Sequence, residues 1–293
     1  MIVFDLSGPE FLWFYLVLGG LSYAFLRVYV TQRERQHPIP KLKLSDPFQI
    51  AFLRGDKNET IRIASLSLID RGLLKIVNPS DPIPKLETTR ARDIDLGNTW
   101  IERALLNLFR IPQAANAAFN NDECKKACVG YSLQLGEHRL VRTAEIIQER
   151  LVPVGLIAVL LLGVALIKIY VALDRDRTNI AFLVALVILL MYLFARLIWR
   201  NRTGLGDLVV ADLKTLFHSL YIRRDSLRPG RQTAEAALLA AVFGLFALPA
   251  AFQYARAIFR KASKSGSSCG SSCGSAGCGG GCGSGGGCGG CGS

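Results

Sequence analysis

Six of the eight cysteines lie within residues 265–293, a segment that otherwise contains only Gly, Ser and one Ala. Successive cysteines are separated by three, four, three, five and two residues, unlike the fixed pairs of a zinc ribbon. Because a Gly- and Ser-rich chain offers little steric hindrance, several thiolates can converge on one soft ion such as zinc or copper. The sequence therefore predicts a soft-metal or thiol site in this tail. Its candidate metal ligands are Cys269, Cys273, Cys278, Cys282, Cys288 and Cys291.

The same composition leaves other interpretations of the tail open. Gly, Ser and Cys are also the residues on which heterocycle-forming peptide-modifying enzymes act, so the tail can be a substrate for modification. Disulfide crosslinks are a further alternative if the tail lies outside the cell, and a solvated tail with incidental cysteines is another. In each case the segment lacks the apolar residues of a core, and we expect a disordered tail.

Other residues that could do chemistry are few. Cys124 and Cys128 are four positions apart, and His138 could join them as a third ligand, but this spacing is a weak metal or redox signal. Two ordinary thiols are the favoured interpretation. No zincin, Walker or nucleophile-elbow pattern is present, and we expect that the protein is not an enzyme.

Three long hydrophobic runs show that the bilayer is part of the solvent of this chain. They cover 11–30, 152–173 and 179–199, in a chain with a mean hydropathy of +0.30 and a formal net charge of +12. Basic residues follow the first and third runs, which predicts an outer N-terminus and a cytoplasmic C-terminus. Residues 1–10 contain no Lys or Arg, so we expect no cleaved signal peptide.

A fourth apolar segment, 236–252, is short for a membrane span and contains Pro249. Basic residues stand on both of its sides and give no orientation. We interpret it as a buried or interfacial helix. If it did cross the membrane, the tail would be extracytoplasmic.

Residues 31–150 are long enough for one small cytoplasmic domain. Asp46–Pro47 begins a helix that Gly55 ends, and a second helix ends at Gly72. Two extended stretches around 73–77 and 83–88 are separated by a Pro-rich turn, and Asn98 is the predicted N-cap of a third helix. This order is winged-helix-like. We further expect a continuous helix over 133–151 leading into the second span.

Winged helices often bind DNA, which requires a basic exposed recognition face. The second helix offers only Arg62 and Arg71 against Glu59 and Asp70, so nucleic-acid binding is disfavoured and a protein-contact or structural role is preferred. The excess of basic residues beside the spans suits anionic lipid headgroups.

The expected fold is therefore a mainly α, multi-span helical membrane protein with three transmembrane helices, a small winged-helix-like α+β cytoplasmic domain and a disordered tail. Small residues at Gly19, Gly20 and Ser22 suit close helix contact, and the oligomeric state stays open. The predicted regions are an N-terminal transmembrane helix (1–30), the cytoplasmic domain with its connecting helix (31–150), a transmembrane hairpin (151–200), a basic juxtamembrane helical region (201–264) and the tail (265–293).

Several motifs resemble those of an uncharacterised bacterial membrane-protein family, which has three spans placed one and two and a domain just before a low-complexity Gly- and Cys-rich tail. Similar proteins often have Gly-Gly after Leu-Arg, where this chain has Gly55 and Asp56. The resemblance implies this architecture and a location in a bacterial inner membrane, and no activity, cofactor or site residue. Its carriers are Asp46, Pro47, Ala51, Phe52, Leu53, Arg54, Gly55, Ala64, Leu66, Leu68, Arg71, Gly72, Leu73, Arg202, Thr203, Gly204, Leu208, Phe243, Gly244, Ala247 and Leu248.

Two functional hypotheses result. The first is a non-enzymatic interaction or metal- and thiol-handling platform, which would have the lipid bilayer, a protein partner or a tail-modifying enzyme as its partners. The alternative is a membrane-tethered regulator whose winged-helix-like domain binds a partner or DNA. The Leu53–Asp56 run suggests function, but a helix end with a glycine stop is the favoured interpretation.

Overall fold

The computed structural model describes residues 8–37, 46–77, 84–89, 97–174, 181–252, 254 and 258. Fourteen helices and strands, apart from short 3-10 turns, are described in these ranges. In chain order they are α1 (Gly8–Arg35), α2 (Pro47–Asp70), β1 (Leu74–Val77), β2 (Lys85–Thr88), α3 (Trp100–Leu108), β3 (Gln113–Ala114), α4 (Ala117–Asn120), α5 (Asp122–Ala127), α6 (Val129–Glu137), α7 (Ala144–Asp174), α8 (Ala181–Ile198), α9 (Gly204–Leu216), α10 (His218–Ile222) and α11 (Thr233–Phe243).

Three of these helices, α1, α7 and α8, are long and apolar enough to cross a membrane, which confirms the three predicted spans within the described part of the chain. They pack on one another around a core of their own. In that core the buried Tyr15 hydroxyl donates to the Leu161 carbonyl at 3.1 Å. A Cβ at Gly19 would lie 2.5 Å from the Leu190 side chain, so this glycine serves close packing of α1 on α8 within one chain.

Helix α2 begins at Pro47, where the Asp46 side chain accepts a hydrogen bond from the Phe48 N–H. Its axis breaks at Gly55 and Asp56, and Asp56 has the left-handed φ of 67°. The predicted break at Gly55 is therefore present as a kink between two helical halves. Burial of α2 is extensive on both sides of the kink.

Three antiparallel strands form a small sheet in the order β1-β2-β3. The β1–β2 pairing, which the sequence predicts, sets Leu74 opposite Thr88 and Val77 opposite Lys85. The short third strand is an addition to the prediction. The Thr88 hydroxyl donates to the Leu106 carbonyl at 2.8 Å and ties the sheet to α3.

Helix α11 lies in the larger of the two hydrophobic cores, against α2. Ala236, Leu239, Ala240 and Ala241 are all nearly inaccessible to solvent. Its many alanines permit a close approach to α2, and Gly244, with φ 99°, ends it. A buried helix therefore occupies the first half of 236–252, and short 3-10 turns follow it at Leu245–Ala247 and Ala250–Phe252. The expected buried helix is present over this first half.

One hydrophobic core joins α2 and its neighbours with α9, α10 and α11, and it extends to the buried Ile258. The described residues between the first and second spans and those after the third span thus form one packed body.

Two local expectations were wrong. The helix predicted over 133–151 is interrupted: α6 ends at Glu137 and α7 begins at Ala144, with Arg139 between them at φ 57°. The N-cap of α3 is Thr99, whose Oγ1 accepts from the Glu102 N–H, and not Asn98. The link between the second and third spans, 175–180, and the predicted tail lie outside the described residues.

Candidate functional site at the junction of the spans and the domain

One buried arginine, Arg150, forms hydrogen bonds that join all three spans at the point where they meet the packed body. Arg150 lies in the second turn of α7 and is 2% exposed. Its Nε donates to Glu34 Oε1 at 2.6 Å, at the end of α1. Its terminal nitrogens donate to the carbonyl of Ile198, the last residue of α8, at 3.3 Å, and to those of Arg200 at 2.7 Å and Arg202 at 3.2 Å in the segment that follows.

The second oxygen of Glu34 continues this network into the domain. Glu34 Oε2 accepts from the Gly204 N–H at 2.5 Å, at the first residue of α9. Because a helix N-terminus carries free N–H groups and partial positive charge, a carboxylate is favourable there. A Cβ at Gly204 would lie 2.7 Å from the Thr31 carbonyl oxygen, so only glycine allows this contact with α1.

Thr203 forms hydrogen bonds with the loop between α6 and α7, which interrupts the helix predicted over 133–151. Its Oγ1 donates toward the Arg139 carbonyl at 2.7 Å and accepts from the Gly206 N–H at 3.0 Å, which caps α9. The Arg142 N–H donates to the Asn201 carbonyl at 2.8 Å, and Val141 and Arg202 form a β-bridge. The entry to α7 and the exit from α8 therefore run side by side, which explains why α6 and α7 cannot be one helix.

Arg139 adds an outer contact to the junction. Its Nη1 lies 2.6 Å from His37 Nε2, just after α1, and its Nη2 forms an ion pair with Glu149 of α7. A hydrogen bond from a guanidinium requires that this His37 nitrogen be unprotonated.

The junction is suited to mechanical coupling. A buried charge is tolerated when paired and hydrogen-bonded, and here the guanidinium has one carboxylate and three carbonyl acceptors. Removing either Arg150 or Glu34 leaves the other as an unpaired buried charge. The pair therefore stabilises the mutual positions of α1, α7, the end of α8 and the start of α9. The arrangement holds the spans and the body as one unit.

The predicted tail ligands, Cys269 to Cys291, lie outside the described residues. Cys124 and Cys128 are buried in the domain core, and burial raises the pKa of each thiol to about 12. Such thiols are almost fully protonated near neutral pH and are poor metal ligands. Within the described residues no group of three or more His, Cys, Asp or Glu side chains could hold a metal ion, so His138 does not complete a site with them.

The Leu53–Asp56 run lies at the kink of α2. Arg54 Nε donates to the Ala241 carbonyl at 2.7 Å and its Nη2 contacts Glu59 Oε2 at 2.5 Å, while Arg62 binds the other oxygen of Glu59. These contacts tie the kink to the end of α11. The structural interpretation of the run therefore accounts for Arg54.

A separate open groove of about 580 Å³ lies between α3 and α5. Trp100, 77% exposed, stands on its wall, and the Arg103 guanidinium lies 5.6 Å from the ring centroid. Lys126 also lines the groove. A groove of this size with an exposed indole suits contact with a partner.

Comparison with known proteins returned no match to a family model, to a curated protein or to a solved structure.

Sequence reasoning did not identify Arg150 or Glu34. Arg150 immediately precedes the second hydrophobic run, and Glu34 is the only acid among the basic residues after the first. An arginine beside one span and a lone acid beside another are a complementary pair, and this was the available signal.

Proposed function

We propose that the protein is a non-enzymatic, membrane-anchored interaction platform, in which three spans hold a helical body at the membrane surface and present a Cys-rich tail that handles soft metal or thiols. The observation that supports the anchoring part of this proposal is the Arg150–Glu34 junction, and the composition of the tail supports the thiol part. Anchoring requires that the spans and the body move together, and the junction provides that coupling.

The position of the tail gives further support. Ile258, only seven residues before Ser265, is buried in the core that contains α2 and α11. We infer that the tail is attached to the body and not to a span. With the basic residues after the first and third spans facing the cytoplasm of a bacterial inner membrane, the tail lies in a reducing compartment, where free thiolates are favoured over disulfides.

Metal content of the purified full-length protein tests the thiol part of this function. The protein is kept reduced and free of chelators, and zinc and copper per chain are measured by mass spectrometry. We expect bound soft metal that is lost when all six tail cysteines are replaced by serine. The matched control replaces Cys124 and Cys128 by alanine and should keep the metal. Metal content unchanged by the tail substitutions would refute metal handling.

Labelling with a membrane-impermeant maleimide tests the orientation. The tail cysteines should react only after the cells are permeabilised. Reaction in intact cells would place the tail and the body outside and reverse the proposed topology.

The groove beside Trp100 favours a second candidate function, a membrane-tethered regulator whose winged-helix-like body binds a partner or DNA. Because α9 and α11 complete the core of this body, the test uses the full chain in detergent. Binding to duplex DNA that weakens with salt and is lost in Trp100→Ala would support a DNA contact. No binding at low salt would remove DNA from this candidate.

A further inference from the structure

The end of α8 presents a basic and aromatic surface at the depth of the lipid phosphates. Helix α8 has 18 residues, which at about 1.5 Å per residue is close to the ~30 Å hydrocarbon thickness. Arg196 lies in its last turn and Trp199 directly follows it. Trp199 is 66% exposed, and Trp is typical of the boundary between hydrocarbon and headgroups.

The loop before α7 places a second cation at the same level. Arg142 Nη1 donates to the Trp199 carbonyl at 3.0 Å, so this guanidinium is fixed at the end of α8. Only one of its five N–H donors is used in this bond, and the side chain is exposed. A planar guanidinium with free donors suits a phosphate.

Acidic residues near Arg142 and Arg196 pair with other cations, so these two arginines can bind an anionic ligand. Asp207 pairs with Arg200 and Arg202, and Glu149 pairs with Arg139. Across the described residues, Arg196 has no ion pair or side-chain hydrogen bond, and Arg142 has no carboxylate partner. The acid nearest in sequence to Arg142 is Glu145, in the first turn of α7, and among the described residues it forms no ion pair with either arginine.

An apolar path leads from these cations into the membrane. Leu189, Tyr192, Arg196 and Trp199 follow one another at helical spacing along one face of α8. Leu189 is 53% exposed and Tyr192 is 62% exposed, so both face lipid. An acyl chain can lie along them while its headgroup reaches Arg196, Arg142 and Trp199.

We propose that Arg142, Arg196 and Trp199 form a binding site for the phosphate of an anionic phospholipid whose acyl chain lies along α8. The site depends on the three spans and is independent of the tail's chemistry. Free inorganic phosphate shares the headgroup chemistry, but the apolar path on α8 favours the lipid as its source.

Native mass spectrometry of the full-length protein in detergent tests the site. The probes are dioleoyl phosphatidylglycerol and dioleoyl phosphatidylcholine, which differ only in headgroup. We expect tighter binding of phosphatidylglycerol, which falls on the order of tenfold in the double variant Arg142→Gln/Arg196→Gln, since each surface cation contributes to anionic-lipid affinity. Arg142→Lys/Arg196→Lys should keep most of that binding.

The matched control is Arg110→Gln/Arg228→Gln, which removes two exposed arginines of the body and the same charge. It should bind phosphatidylglycerol as the unmodified protein does. Equal binding of the two lipids, an equal loss in the control, or displacement of phosphatidylglycerol by millimolar inorganic phosphate would each overturn the proposal.

Arg196→Gln alone keeps the test decisive if the double variant does not fold. Arg196 has no polar partner among the described residues, so its replacement removes no internal contact. Its phosphatidylglycerol affinity should fall a few-fold, and an unchanged affinity would contradict a role for this residue.

Discussion

Two arginines brace this molecule in different ways. Arg150 at the junction is enclosed and binds Glu34 and three carbonyls from another segment. Arg54 at the α2 kink is 20% exposed, binds one carbonyl and shares Glu59 with Arg62. The first lies where the apolar core of the three spans ends and the separate core of the body begins, whereas the second lies beside the contact of α2 with α11 inside one core. The polar network should therefore carry more of the stability at the junction than at the kink.

Replacing Arg150 should give the largest loss. In Arg150→Met the carboxylate of Glu34 stays in place without its cation, which costs about 3–5 kcal/mol. We expect a fall in melting temperature on the order of 10 °C, measured by thermal unfolding in detergent. The double variant Glu34→Gln/Arg150→Met should recover part of this loss, because no buried charge remains. A double variant as unstable as the sum of the two singles would argue against direct coupling.

Truncation in the α2–α11 contact tests the apolar side of the comparison. Leu239 is fully buried, and Leu239→Ala should cost about 2–4 kcal/mol through lost burial and the cavity left behind. Thermal unfolding under the same conditions gives the comparison with Arg150→Met. Leu216→Ala, at a site 72% exposed, is the matched control and should change little. An equal effect of both substitutions would contradict the assignment of α11 to the core.

Gly244, which ends α11 beside Arg54, tests how much a strained backbone position matters at the kink. Its φ of 99° disfavours any side chain, and a Cβ there would lie 3.1 Å from Arg54 Nη1. We expect Gly244→Ala to cost about 1–3 kcal/mol in thermal unfolding. Gly20→Ala is the control, since a Cβ at Gly20 meets no atom within 4 Å among the described residues. A Gly244→Ala protein as stable as the control would exclude a strained position.

Much of this architecture follows from the sequence, and the reasons differ by element. The three spans were predictable because a bilayer demands long uncharged runs, and the β1–β2 hairpin because a Pro-rich turn separates two extended stretches. The break between α6 and α7 was not predictable from periodicity. It depends on Thr203 and Arg202, which come from a distant part of the chain. The junction itself was missed for the same reason, since a pair such as Glu34 and Arg150 has meaning only once the spans are packed.

Arg54 should contribute less to the free energy of unfolding than Arg150, because its side chain keeps contact with solvent. Arg54→Gln removes one charged contact with Glu59 and one with the Ala241 carbonyl, but Arg62 still neutralises the carboxylate. We expect a loss of about 1 kcal/mol in thermal unfolding. A loss as large as that of Arg150→Met would show that the two arginines are equivalent.

Thiol reactivity offers the finest test, because it reports local opening at the kink. Asp56 and Lys57 act electrostatically on Cys128, so this thiol lies near the kink, and burial is the main cause that raises its pKa to about 12. In a protein whose six tail cysteines are serine, alkylation of Cys128 should be slow at pH 8 and faster at higher pH. An unfolded thiol ionises near pH 8.5. The raised pKa of Cys128 therefore stabilises the folded state fully below that pH and progressively less toward pH 12.

Arg54→Gln should raise the alkylation rate of Cys128 a few-fold by loosening the kink, whereas Arg196→Gln, at the far end of α8, should leave it unchanged. Equal rates in all three proteins would mean that Arg54 does not restrain the kink, and that the difference between the two arginines is one of stability alone.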